Sequence, residues 1–394
     1  MKYKKSTKEK EVFSYENAKG HKLWMFRHKY YDGLTGKRKE KKKSGFKTEK
    51  AAIKALLEVK AQTLRGNTKT IENENITVGA WLDTWFETNQ RSWSKKTIVQ
   101  REIAIRLQMK PLLGHYKLQK LDKATYQKAF INVLEDQYAP SMVRSLHTLF
   151  KIAVNAAVEE ELIDRNRFTR IKFSKKEETN NNYLTPQQLV EFLHAAEKHE
   201  SITNYTMLLL IAYTGMRAGE ACGLKWKDID FKSNTISIMR SRGQYGVGTT
   251  KTKNSERTIP VDKIVIEQLR KYRIWCKKTL LSFGKTKTVE DEEAFIFISQ
   301  YTGEPFIFHS TSIMRRVLKH IGVSGVTLHG LRHTHATILL NDGLPVKVIA
   351  NRLGNTPQMI HTVYGHILKE MEQRAVAAFS DSLKTVGAKT GAKK

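Results

Sequence analysis

The spacing of apolar residues divides this chain into three stretches, and the first of them alternates like a small sheet. Trp24–Tyr31 predicts one strand and Lys37–Phe46 predicts a second, with Asp32–Gly36 as the turn between them. The threonine at position 48 is placed to cap a helix that runs from Glu49 to about Arg65. We therefore predict a small β-sheet packed on one helix.

A helical period replaces the alternation in the second stretch, where apolar residues recur every three or four positions. The predicted helices are Val78–Thr88, Lys96–Met109, Ala124–Leu134 and Ser141–Glu160. Short amphipathic helices joined in this way are typical of a bundle. Polar segments without an apolar period, 66–75 and 171–182, predict linkers on either side.

The third stretch opens at Thr185–Pro186, where threonine is placed as a helix cap and proline at the first helical position. Helices are predicted at about 187–197, 202–213, 264–281, 310–321, 328–341, 345–353 and 368–380, strands at 235–240 and 257–261, and an extended piece at 295–298. The predicted fold class is multidomain and mainly α with small β-sheets (α+β).

The charge of the chain points to a polyanionic partner. Its 394 residues contain 69 Lys and Arg against 39 Asp and Glu, a formal net charge of +30. A basic surface that only aids solubility is the alternative, but the basic residues cluster, as in Lys41–Lys43, and this favours nucleic acid. Lysines interleaved with aromatics on the predicted strands favour strands laid against DNA over lysines that only protect a sheet edge.

Cysteine content and apolar runs restrict the compartment. Cys222 and Cys276 cannot make a disulfide framework in a chain of this length, which favours a reducing compartment. The basic start with no apolar stretch behind it predicts no secretory signal. Because the longest apolar run, Met207–Tyr213, is far too short for a bilayer, we expect a cytoplasmic protein with no membrane partner.

Four residues in the last part of the chain suggest one chemistry. Arg217 follows a Thr-Gly pair, His329 and Arg332 share a helix face because they are three residues apart, and Tyr364 comes after them. A guanidinium group presents a planar fork of donors that matches phosphate oxygens. A tyrosine forms a covalent intermediate when its proton is removed and the developing charge is stabilised. This set predicts a site that holds a DNA phosphate while a tyrosine attacks it.

Structural interpretations of the same residues remain open. Arg217 can pair with Glu220, and a tyrosine at helical spacing, such as Tyr364, is usually part of a core. The histidines within 329–335 also invite a metal, but no carboxylate or cysteine stands at ligand spacing and two arginines would repel a cation. We therefore expect no metal, and we expect His335 to be structural.

Two segments, Thr214–Glu220 and Leu328–Thr334, resemble the conserved boxes of the tyrosine recombinases, in particular the integrases of phages and integrative elements. The resemblance extends over the whole chain. It implies an arm-type DNA-binding domain at 1–70, a helical core-binding (SAM-like) domain at 76–168, a linker at 169–182 and a catalytic domain at 183–394.

The family resemblance also implies further site residues. It calls for a catalytic lysine in the hairpin Thr250–Pro260, where Lys251 is the preferred candidate and Lys253 the alternative. Asn355 stands where the family usually has His or Trp. An asparagine can donate a hydrogen bond to a phosphate oxygen, but it cannot carry charge.

The roles that the resemblance implies follow a single reaction. Arg217 and Arg332 clamp the scissile phosphate, and Tyr364 attacks it to form a 3′-phosphotyrosine. His329 assists deprotonation of the tyrosine or binds the phosphate, and Lys251 protonates the leaving 5′ oxygen. The expected activity is site-specific integration, and excision, of a mobile element without cofactor, ATP or metal.

The partners implied are double-stranded DNA with core and arm sites, a homo-tetramer on that DNA, and host DNA-bending and excision factors. The predicted helix 368–379 can dock on a neighbouring subunit or on its own domain. Rival functions are a type IB topoisomerase, a non-catalytic DNA-binding regulator and a metal-dependent nuclease. The nuclease needs a carboxylate cluster that the sequence does not contain.

Overall fold

The structure, a computed structural model, divides the chain into two compact units, residues 1–178 and 179–394. It describes residues 3–32, 36–66, 68–174, 182–248, 256–286, 291–306 and 310–365. The division falls inside 169–182, the segment predicted to be a linker. The tip of the predicted turn at 32–36 and the predicted helix 368–380 lie outside the described residues.

The first unit begins with a four-stranded antiparallel sheet in the order β1-β2-β3-β4. Its strands are β1 Lys4–Lys5, β2 Val12–Glu16, β3 Lys22–Tyr31 and β4 Arg38–Phe46, and the helix α1 Glu49–Leu64 packs on one face. Thr48 caps α1 by accepting a hydrogen bond from the Ala51 backbone. Strands β3 and β4 confirm the prediction, whereas β1 and β2 were missed because each is short.

Lysines on one face of β4 contact an acidic segment that was predicted to be a plain linker. That prediction for 66–75 was wrong in part, because it contains the short helix α2 Thr68–Glu72. Lys39 pairs with Glu72 at 2.7 Å and Lys43 pairs with Glu74 at 2.5 Å. We call this set of pairs, with Lys41 and Glu74 at 3.1 Å, the lysine clasp.

The rest of the first unit is a helical bundle around a core of aromatic and aliphatic residues. Its helices are α3 Val78–Asn89, α4 Lys95–Ala104, α5 Lys110–Leu113, α6 Lys123–Tyr126, α7 Val133–Gln137 and α8 Pro140–Glu159, with π-helical turns at Ile105–Met109 and Gln127–Asn132. The backbone and hydroxyl of Ser174 both donate to Glu135, so the predicted linker begins by packing on this bundle.

The second unit is mainly helical with two small antiparallel sheets. Its helices are α9 Pro186–His199, α10 Ile202–Thr214, α11 Ala218–Cys222, α12 Lys263–Ser282, α13 Ser310–His320, α14 Leu328–Asn341 and α15 Val346–Leu353. Residues 357–365 form a last helical segment, α16. Strands β5 Ile229–Asp230, β6 Thr235–Ile238 and β9 Arg257–Pro260 form one sheet, and β7 Ser241–Gly243 pairs with β8 Gly246–Gly248.

Helix ends in the second unit position the residues singled out from the sequence. Gly215 and Gly354 end α10 and α15, each with a φ of +65° that favours glycine. Arg217 and Asn355 follow these two turns directly. A side chain at position 215 would also collide with Leu353 and His335, so this turn packs tightly on the neighbouring helices. In the part of the chain that is described, no helix is both long and apolar enough to cross a membrane.

Candidate active site

Arg217 lies in the turn between α10 and α11 and joins two parts of the site. Its backbone N–H donates to Glu220 at 2.9 Å, and its Nη1 donates to the same carboxylate at 2.7 Å. Its Nη2 donates to Oδ1 of Asn355 at 2.8 Å. The ion pair that the sequence left open is therefore present, yet the Arg217 side chain is still 40% exposed and open to a ligand.

Glu220 is a buried carboxylate that the sequence analysis did not include in the site. It also accepts a hydrogen bond from Nη2 of Arg257 at 2.9 Å. Burial alone would raise the pKa of Glu220, but the hydrogen bond and charge of Arg257, followed by Arg217, lower it below its usual value. Glu220 thus stays ionised and holds Arg217 in place. The sequence could have indicated this role, because Glu220 stands three residues after Arg217.

Arg332, on α14, is the most buried cation of the site, with 3% of its surface exposed. Its Nη1 donates to the Gly215 carbonyl at 2.8 Å, whereas its Nη2 has no hydrogen-bond partner among the described residues. Burial, and then the nearby charge of Arg217, lowers the pKa of Arg332 to about 10, so it remains cationic at pH 7. A buried N–H without a partner is costly, so an anion that reached this group would remove the cost.

Two histidines stand on α14 one turn apart, with ring centroids 4.7 Å from each other. His329 is an exposed residue. The protein around its ring, followed by the charges of His333, Arg332 and Arg217, lowers its pKa to about 4. Burial and Arg332 also lower the pKa of His333. Both rings are therefore neutral at pH 7.

Tyr364 is held by His333, which was not among the predicted site residues. The Tyr364 hydroxyl lies 2.8 Å from Nδ1 of His333, and only 5% of the tyrosine is exposed. Its ring packs in an apolar cluster with residues of α14 and α15, so the tyrosine is part of a core. Burial raises the pKa of Tyr364 to about 12, and the charge of Arg332 opposes this rise.

His335 has the structural role that was expected of it. Its Nδ1 lies 3.0 Å from the carbonyl of Ala212, and its Nε2 accepts a hydrogen bond from Arg352 at 3.0 Å. Both ring nitrogens are thus engaged with protein groups. The described residues contain no group of three His, Cys, Asp or Glu side chains that could hold a metal ion.

The structure brings together Arg217, Arg332, His329, Asn355 and Tyr364 of the predicted set. Lys251 and its alternative Lys253 lie outside the described residues. The strand that follows them is firmly placed, because β9 pairs along its whole length with β6. Arg257, on β9, also donates from Nε to the Arg352 carbonyl at 2.7 Å.

Comparison with known protein families matches most of the chain in three consecutive parts. Residues 13–63 match an arm DNA-binding domain, and residues 77–134 match the N-terminal SAM-like domain of phage integrases. Residues 182–371 match the phage integrase family itself. These three matches follow the order of domains expected from the sequence.

Curated relatives are similar over most of their length. A tyrosine recombinase XerC-like protein of Caldanaerobacter subterraneus is 26% identical over 339 residues, 80% of this chain and 85% of that protein. The integrase of Staphylococcus phage L54a is 27% identical over 351 residues, 80% of this chain and 96% of that protein.

Solved structures share the fold at low sequence identity. The Tn1549 transposon integrase in complex with transposon right end DNA superposes with a TM-score of 0.61 and 21% identity, covering 75% of this chain and 99% of that one. A lambda integrase tetramer bound to a Holliday junction gives a TM-score of 0.54 and 21% identity, covering 87% of this chain and 95% of that one.

Proposed function

We propose that this chain, which belongs to the phage integrase family of tyrosine recombinases, cuts and rejoins DNA strands with Tyr364 as its nucleophile. The observation that carries the assignment is the arrangement around the tyrosine. Arg217 lies close enough to Arg332 for its charge to lower the pKa of Arg332, and the charge of Arg332 in turn opposes the rise in the pKa of Tyr364. Glu220 offsets only part of the positive charge of the arginines around the phenol, so the cluster favours a further anion.

The scissile phosphate supplies that anion. Arg332 directs Nη2, which has no hydrogen-bond partner among the described residues, to one non-bridging oxygen, and the exposed part of Arg217 binds the other. His329, which is neutral and exposed, donates a further hydrogen bond. These donors offset the charge that grows on the phosphate oxygens in the transition state.

Asn355 orients Arg217 and completes the phosphate site. Its Oδ1 accepts from Arg217, which leaves its amide N–H₂ free to donate to a phosphate oxygen. The residue thus takes over the hydrogen bonding of the His or Trp that the family usually has at this position, without any role in proton transfer.

Strand cleavage produces a 3′-phosphotyrosine and a free 5′-hydroxyl. The Tyr364 oxygen attacks phosphorus in line, and Lys251 donates a proton to the departing 5′ oxygen. The phosphotyrosyl bond conserves the energy of the phosphodiester, so a 5′-hydroxyl from another duplex can displace the tyrosine. Exchange between two duplexes uses four such sites, which we assign to a homo-tetramer.

We assign the recognition of DNA sites to the first unit. We assign residues 1–70 to arm-site DNA and the helices of 76–168 to core-site DNA, with host DNA-bending and excision factors setting the direction. An arm domain distinguishes this chain from a relaxing topoisomerase, which has no second class of site to bind. The reaction is the integration and excision of a mobile element in bacterial DNA, and therefore takes place in the cytoplasm.

A covalent adduct assay tests this proposal. The protein is incubated, with EDTA and without ATP, with nicked DNA spanning the junction of its own mobile element, and SDS-resistant adducts are resolved on a gel. We expect an adduct from the wild type and none from Tyr364→Phe. An adduct from both proteins, or one that forms only when a divalent metal replaces EDTA, contradicts the assignment.

A further inference from the structure

The arginines of the site can bind the phosphate, but they do not accept the proton that Tyr364 must lose. With a pKa of about 12, the buried phenol must lose its proton as its oxygen bonds to phosphorus. Among the described residues, the acceptor within hydrogen-bond distance of its hydroxyl is Nδ1 of His333, at 2.8 Å. His329 contacts the ring of His333 rather than the phenol hydroxyl.

We infer that His333 is a catalytic residue, the general base that takes the proton of Tyr364 during cleavage and returns it during religation. This inference rests on the proposed function, since it assigns a role in the attack by Tyr364. The two histidines on α14 then have different roles. His329 is left to bind the phosphate, and His333 acts on the nucleophile.

The role of a base requires one form of His333. For the phenol to donate to it, Nδ1 must be the unprotonated nitrogen and Nε2 must carry the hydrogen. The groups around the ring are His329 and Arg332 on the same helix and Tyr364 on α16. Arg332 disfavours a second positive charge beside it, so His333 waits in the neutral form that accepts a proton.

The proton and bond changes balance without an added reagent. As the Oη–P bond forms, the phenolic proton moves to Nδ1 of His333, and as the P–O5′ bond breaks, the 5′ oxygen takes a proton from Lys251. The products are a phosphotyrosine, a 5′-hydroxyl, an imidazolium and a neutral lysine. The incoming phosphate charge offsets the imidazolium. Religation runs these transfers in reverse.

The residues before and after His333 in the sequence hold helix α14 in place, and this positions the imidazole beside Tyr364. Arg332 is fixed to the Gly215 carbonyl, and the Thr334 hydroxyl accepts the backbone N–H of Leu184 at 2.9 Å. Helix α14 is therefore anchored on both sides of His333, and the imidazole has little freedom to leave the phenol. A base held at 2.8 Å needs no rearrangement before the proton moves.

The test is the single-turnover rate of adduct formation on the nicked substrate as a function of pH, for wild type and His333→Gln. Glutamine retains a hydrogen-bond acceptor but takes up no proton. We expect the wild-type rate to fall as the pH drops below 6.5, and the variant to be slower at pH 7 by roughly 10²-fold and to lose that acidic limb. His320→Gln, which alters a histidine that stacks on His199, is the control and should follow wild type.

A second substrate distinguishes a defect in deprotonation of the nucleophile from a defect in protonation of the leaving group. A sulfur in place of the bridging 5′ oxygen leaves without protonation, so it should restore the rate of Lys251→Ala but not that of His333→Gln. Restoration of His333→Gln, or a variant with the wild-type rate and pH profile, overturns the inference. If wild type itself forms no adduct, or Tyr364→Phe does, the proposed function fails as well. DNA binding and thermal unfolding of each variant identify any loss that comes from misfolding.

Discussion

At the scale of single residues, the site depends on carboxylate and amide groups that hold the cations in place. Glu220 accepts hydrogen bonds from Arg217 and Arg257, while Asn355 accepts one from Arg217. Since cationic side chains repel one another, these acceptors let the cations stand close together before DNA arrives. The same contacts hold the Arg217 guanidinium in position although the side chain is partly exposed.

Replacing Glu220 by glutamine should destabilise the second unit. The variant leaves the guanidinium of Arg257, whose side chain is 7% exposed, without its carboxylate, and we expect a loss of about 3 kcal/mol in the free energy of unfolding. Because the folded-state pKa of Glu220 is lowered, this stabilisation is present above 4.5 and is lost as the pH falls through the folded value. Urea unfolding at several pH values measures it. Glu197→Gln, an exposed charge on α9, is the control, and equal effects of the two changes would refute the role of Glu220.

Replacing Asn355 tests whether an uncharged residue suffices at that position. Asn355→Ala removes the acceptor for Nη2 of Arg217, a hydrogen bond to a charged group, and should slow adduct formation roughly tenfold or more. Asn355→His retains an acceptor and a donor and should keep at least the wild-type rate. Single-turnover kinetics provide the comparison. A normal rate for Asn355→Ala would mean that Arg217 does not need this contact.

At the scale of elements, the caps and turns of the second unit were readable from the sequence, while the contacts between elements were not. Thr185 and Gly215 were recognised from local patterns because caps and left-handed turns depend on neighbouring residues alone. His333 and Arg257 were missed. Their partners lie 31 and 37 residues away along the chain, a separation that no local period reports.

The N-terminal cap of α14 should matter more for activity than its stability effect suggests. Thr327 accepts the Gly330 backbone N–H and is itself bonded to Asn182. Thr327→Ala should cost about 1 kcal/mol and loosen the turn that carries His329. Thr185→Ala, which removes the cap of α9 in the same unit, should cost a similar amount of stability. Only the first should slow adduct formation, and equal rates for both would contradict the link.

At the scale of the whole molecule, domain order and fold class were predictable because composition and period change between the stretches. The four-stranded sheet, the helical bundle and the mainly helical second unit confirm that prediction. The lysine clasp was not predictable. A run such as Lys41–Lys43 looks uniformly basic in the sequence, and only the register of β4 shows which lysines face the acidic segment.

The lysine clasp should restrain binding of the first unit to DNA. Glu72→Gln together with Glu74→Gln removes the ion pairs of Lys41 and Lys43 with Glu74 and that of Lys39 with Glu72, while Lys39 keeps its ion pair with Asp32 at 3.1 Å. The double change should tighten binding to arm-site DNA and steepen its salt dependence. The effect on stability should stay below about 1 kcal/mol, since these pairs are partly exposed. Fluorescence anisotropy over a range of salt concentrations measures the slope. A control removes the same charge elsewhere in the unit, through Glu87→Gln and Glu159→Gln, and an equal slope in both double variants would refute a specific role.

Identifying the residue that carries the DNA tests directly whether Tyr364 is the nucleophile. The adduct formed on the nicked substrate is trimmed with nuclease, digested with protease and sequenced by tandem mass spectrometry. We expect a 3′-linked nucleotide on the phenol oxygen of Tyr364, in the peptide that contains His361 and Val363. A nucleotide on any other side chain, or one linked through its 5′ end, would contradict this expectation.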